Sequence, residues 1–82
     1  MDEDLLGRMR QSKAGWGWND LDRLYVSFGF DKREGGRHSL YRHPEHPDLR
    51  ATVARHRSLP IGYVVTAIKL VDELLRRRAS SE

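Results

Sequence analysis

The sequence has no cysteine and only three prolines in 82 residues. Without thiols there are no disulfides and no thiolate metal ligands, so packing alone must hold the chain together. No apolar run approaches the roughly 20 residues that span a bilayer, and no membrane association is expected. The opening Met-Asp-Glu-Asp lacks the basic start of a secretory signal, so the cytoplasm is the expected compartment. Apolar residues are scarce, at 38%, while charged residues reach 33%. A chain of this size buries only about 60–65% of its unfolded surface. One small domain with a large solvated face follows.

The charge that is present is unevenly placed. The formal net charge is +3 and the isoelectric point is about 9.7. Between Lys32 and Arg57 lie seven basic residues, Lys32, Arg33, Arg37, Arg42, Arg50, Arg55 and Arg57, against three acids, Glu34, Glu45 and Asp48. All four histidines, His38, His43, His46 and His56, fall in the same stretch. Clustered cations of this kind suit a polyanion, and these seven are the candidate RNA contacts.

Periodicity sets out the elements. Residues 1–17 read as an N-terminal arm, with a short helix over 2–10 whose apolar set is only Leu5, Leu6 and Met9. A linker over 11–17 follows it. Trp16 and Trp18 are read as fastening the arm to the core. A helix is expected over 20–28, capped by Asn19, because Leu21, Leu24, Tyr25 and Phe28 recur at helical spacing. Gly29 is placed to end it in the left-handed conformation, with Phe30 folding back on Tyr25. Strands are expected over 30–34, 37–43 and 49–55. A Gly35-Gly36 turn separates the first two, and a stiff His43–Asp48 loop with two solvated histidines separates the last two. Leu49, Ala51 and Val53 alternate with Arg50, Thr52 and Ala54. A last helix over 60–78 has Ser58 as cap and Ile61, Val64, Val65, Ile68, Val71, Leu74 and Leu75 on one face. The domain then spans 18–79, with a tail over 80–82.

The expected class is α+β. The order is α-β-β-β-α in two layers, both helices on one face of a three-stranded antiparallel sheet. The other face stays open, with Arg50, Thr52 and His56 on it. In the second strand the sequence allows two arrangements. If Tyr41 faces the core, then His38, Leu40 and Arg42 lie open beside His56. If Leu40 faces the core, His38 turns inward.

On that face His38 is the candidate catalytic group and His56 a possible second acid or base. Imidazole gives and takes protons near neutral pH. RNA carries its own nucleophile, the 2′-hydroxyl, so cleavage needs a base, cations for the phosphate and an acid for the leaving oxygen. Arginine's planar fork suits the phosphate. The histidine spacing His-x4-His-x2-His-x9-His matches no common zinc pattern, and neither metal nor cofactor is expected. A non-catalytic RNA-binding module is the alternative, since it needs the arginines but not His38.

Gly29-Phe30, Gly36-Arg37-His38, Leu40-Tyr41, His43-Pro44 and Arg55-His56 together resemble the HicA family of bacterial type II toxin–antitoxin mRNA interferases. The resemblance covers residues 21–75. It implies a double-stranded-RNA-binding-domain-like fold, metal-independent cleavage of messenger RNA, a catalytic histidine at His38 and a HicB-like antitoxin as partner. Arg37 stands where the family has serine, and Leu59–Tyr63 stands where it has Gly-Thr-Leu.

Overall fold

The computed structural model describes residues 1–81 as three helices and a three-stranded antiparallel sheet. The elements run α1 (Glu3–Gln11), α2 (Trp18–Ser27), β1 (Asp31–Glu34), β2 (His38–Arg42), β3 (Arg50–Ala54) and α3 (Ile61–Ser80). The sheet order is β1-β2-β3. Helix α3 takes in Ser80 of the expected tail, and Glu82 lies outside the described residues.

The arm is an integral part of the domain. Asp2 caps α1 by accepting the Leu5 N–H at 3.0 Å, and acids open the helix while Arg8 and Arg10 close it. Leu5, Leu6 and Met9 are buried in the common core. The helix packs on α3, where Arg10 bonds Asp72, and reaches α2 through the Asp2 N–H and the Ser27 hydroxyl. Nor is the segment after it a free linker. Trp16 C=O accepts the Leu59 N–H and the Trp18 N–H donates to His56 C=O, both at 2.9 Å.

That pairing moves the start of α2. It begins two residues ahead of expectation, with Gly17 rather than Asn19 at the cap. The Gly17 N–H donates to Asp20 Oδ2 at 2.9 Å. A Cβ at Gly17 would lie 2.1 Å from the Arg57 carbonyl oxygen, so the site accepts only glycine. The other end is as expected. Gly29 takes φ +90°, Phe30 N–H reaches Tyr25 C=O at 3.0 Å, and the two rings meet edge-on at 5.0 Å.

The β1–β2 connection differs from the expected Gly35-Gly36 turn. Gly35 N–H pairs with His38 C=O at 2.9 Å, which leaves Gly36 and Arg37 at the tip, and neither glycine has positive φ. Helix α3 starts from Pro60 instead of Ser58, and Ile61 in its first turn is half exposed while Val64, Ala67, Ile68, Val71 and Leu74 face inward.

Tyr41 faces the core. Strand β2 alternates with Ser39 and Tyr41 buried and His38, Leu40 and Arg42 exposed. Its register pairs Tyr41 with Lys32 and Ala51, Leu40 with Arg33 and Thr52, and Arg42 with Asp31 and Arg50. The helices cover the Tyr41 side, and the Leu40 side is open.

Candidate nucleic-acid interface

The open face is a grid of three strands. At its centre Leu40 lies between Arg33 and Thr52, and in the next row Arg42 lies between Asp31 and Arg50. His38 stands exposed at the head of β2, opposite Ala54. A shallow cleft of about 560 Å³ runs over the central and lower rows, lined by these side chains from Asp31 to Thr52. His38 stands one row beyond the residues that line it.

The cations of this face make no ion pair among the described residues. Elsewhere most basic side chains have partners: Arg8 with Asp4, Arg10 with Asp72, Arg23 with Asp2, Arg76 and Arg77 with Glu73, and Arg77 with Asp48 at 2.6 Å. Lys13 and Arg78 donate to backbone carbonyls. Apart from Lys69 on α3, the basic side chains without an ion-pair or hydrogen-bond partner among the described residues are Arg33, Arg37, Arg42, Arg50 and Arg57. Three of these share the open face. Arg37 is at the hairpin tip next to His38, and Arg57 lies in the β3–α3 loop.

Two of the seven candidate contacts are otherwise engaged. Lys32 is on the helix side of β1, where its ammonium pairs with Asp22 at 3.1 Å and Glu34 at 3.6 Å and lies over the Trp18 ring. The hydrogen bond it donates to Asp22 is the main reason its proton is held more tightly than usual. Arg55 folds across the hairpin and donates to the carbonyls of Gly35, at 2.9 Å, and Gly36. It secures the turn that presents His38. Strand pattern gave no sign of either role, because both follow from which element packs alongside.

His56 does not join His38 in one cleft. Its N–H turns back to the Ala54 C=O at 2.9 Å, which ends β3, and its own C=O is held by Trp18. It lines a separate hollow with Gly17, Trp18, Asn19, Asp20, Arg55 and Arg57. The alternation expected to carry His56 onto the open face therefore stops two residues short.

His43 is buried, at 2% exposure, rather than solvated. Its Nδ1 accepts the Glu45 N–H at 3.2 Å, its ring meets Phe30 edge-on at 5.3 Å, and its Nε2 has no partner among the described residues. Burial above all, with His46 and Arg78 nearby, pushes this imidazole toward the neutral form. His43 thus docks the β2–β3 loop, and Asp48, held down at about 2 by Arg77, ties the same loop to α3. The tryptophans also hold the fold together. Trp16 Nε1 donates to Ser12 C=O at 2.7 Å and Trp18 Nε1 to the Tyr41 hydroxyl at 3.0 Å.

Among the described residues, no group of three or more His, Cys, Asp or Glu side chains is arranged to hold a metal, and no helix is long and apolar enough to cross a membrane. Compared with known proteins, the chain matches no family model, no curated sequence and no solved structure.

Proposed function

We propose that the chain is a HicA-like toxin, an endoribonuclease that cleaves messenger RNA without metal through His38 and is neutralised by a HicB-like antitoxin protein in the cytoplasm. The α-β-β-β-α order from α2 onward supports the double-stranded-RNA-binding-like fold that this reading carries. The observation that bears most weight is the placement of an exposed His38 on the same open face as the unpaired guanidinium groups of Arg33, Arg42 and Arg50.

The chemistry asks little of the protein. His38 takes the proton of an RNA 2′-hydroxyl. The new 2′-oxygen bonds to the adjacent phosphorus, and the bond from phosphorus to the 5′-oxygen breaks. The 5′-oxygen leaves with a proton from water or from the imidazolium. The products are a 2′,3′-cyclic phosphate and a 5′-hydroxyl. Arginine forks neutralise the charge that builds on the phosphoryl oxygens.

RNA incubated with the protein in chelator should be cut to these ends, and His38→Ala should slow cleavage by roughly 10²–10⁴-fold. An RNA with 2′-deoxyribose at the cleavage site should resist. Equal cleavage by His38→Ala, or a need for added metal, would overturn the mechanism. The second reading, a non-catalytic RNA-binding module, draws on two observations: among the described residues nothing hydrogen-bonds the His38 side chain to orient it, and His56 lies in another hollow. RNA binding by the wild type with no cleavage would establish it.

A further inference from the structure

We infer that the open face binds single-stranded RNA laid along β2, with one unstacked base seated over Leu40. This rests on the RNA reading above but not on its catalytic step.

Leu40 is 47% exposed at the middle of the middle strand, on a face whose other exposed side chains are charged or polar. Its register neighbours are Arg33 and Thr52, and Arg42 and Arg50 occupy the next row. A duplex would offer this face sugars and phosphates while its bases stay stacked inside, leaving nothing apolar to cover Leu40. An unstacked base has an apolar face. It covers Leu40 and stacks against guanidinium planes, which arginine provides and lysine does not. The cleft of about 560 Å³ over Leu40, Arg33, Arg42 and Arg50 has room for such a base.

Strand geometry gives the order of contacts. Alternate residues on one face of a strand are about 6.6 Å apart. His38, Leu40 and Arg42 therefore present, in sequence, the proton-transfer group, the base platform and a phosphate contact. Asp31 is the one acid in the grid and repels phosphate at the β1 corner. The sugar–phosphate track is left to the Arg50 and Thr52 side.

The test uses the full chain carrying His38→Ala, so that bound RNA stays whole. Fluorescence anisotropy compares a single strand of roughly 12 nucleotides with its duplex at one fixed salt concentration. The expected result is at least about tenfold tighter binding of the single strand. Adding Leu40→Ala should weaken single-strand binding by about tenfold and leave duplex binding unchanged, and Leu40→Trp should preserve it. Leu40 is on the surface, and circular dichroism verifies that the variants fold. A duplex bound as tightly as the single strand, or a single-strand affinity indifferent to Leu40→Ala, overturns this inference alone. Failure to bind either RNA overturns the RNA reading with it. Loss of cleavage in the wild type with the single-strand preference intact overturns only the catalytic step.

Discussion

The Tyr41 hydroxyl donates to Asp22 Oδ1 at 2.6 Å, joining the middle strand of the sheet to α2. Trp18 Nε1 donates to the same hydroxyl and Lys32 pairs with the same carboxylate. Burial first, then the bond to Asp22, pushes the Tyr41 phenol far up, so it remains a donor. This contact anchors Tyr41 in the core and thereby turns His38, Leu40 and Arg42 outward. Tyr41→Phe should cost about 1.5–3 kcal/mol, the range for hydrogen bonds to charged groups. Tyr25 is the control. It stacks on Tyr41 at 4.8 Å, but its buried hydroxyl has no partner among the described residues. Tyr25→Phe should therefore be neutral or stabilising, and urea unfolding of the two variants would separate them.

The N-terminal helix should be essential to stability. Leu5 and Met9 are fully buried, and each replacement by Ala should cost about 2–5 kcal/mol. Thermal unfolding of Leu5→Ala at a midpoint unchanged from wild type would show that α1 does not share the core.

Gly17 should tolerate no side chain. Its missing Cβ lets the Arg57 carbonyl approach, and both chains are backbone there, so neither can swing aside. Gly17→Ala should destabilise by about 1–3 kcal/mol, as overpacking does. Gly7→Ala, in α1 with open space around it, should not destabilise. Matched melting curves would check the pair.

Acid should loosen the β2–β3 loop through His43. Its folded pKa is lowered, so below about 6.5 the unfolded chain takes up a proton that the folded chain refuses. Stability should therefore fall as pH drops below that value, by at most about 1.4 kcal/mol per pH unit from this group. The fall ends once pH passes the depressed folded pKa. Burial, His46 and Arg78 act in this direction, while Glu45 and Asp31 oppose it. His43→Asn, which retains an acceptor for the Glu45 N–H, should flatten the slope between pH 7 and pH 5 in urea titrations.

The two kinds of basic residue should separate in RNA binding. Arg42→Ala should weaken binding and lower the salt dependence, in log–log form, by about one. Lys32→Ala should leave both nearly unchanged, because its ammonium is already paired to Asp22. Equal losses would mean that the open face is not the contact surface.

Local patterns settled a good part of this protein. The 3.6-residue spacing of Leu21, Leu24, Tyr25 and Phe28 defined α2, Gly29 and Phe30 defined its end, and the alternation after Pro47 defined β3. These signals are legible because they depend on neighbours a few residues away. The basic stretch, with His38 at the start of a strand, was legible for the same reason. Tertiary contacts decided the rest. Leu40 and Tyr41 are both core candidates by composition, and partners on α2, Asp22 and Trp18 at the hydroxyl and Tyr25 at the ring, select Tyr41 for the core. His43 looked solvated beside proline until the loop folded it against Phe30. Lys32 and Arg55 read as free cations until Asp22 and the hairpin carbonyls engaged them. His56 stayed with the strand by alternation alone and left it because Trp18 holds its carbonyl. In each case the deciding partner is distant in sequence, and a one-dimensional pattern does not record it.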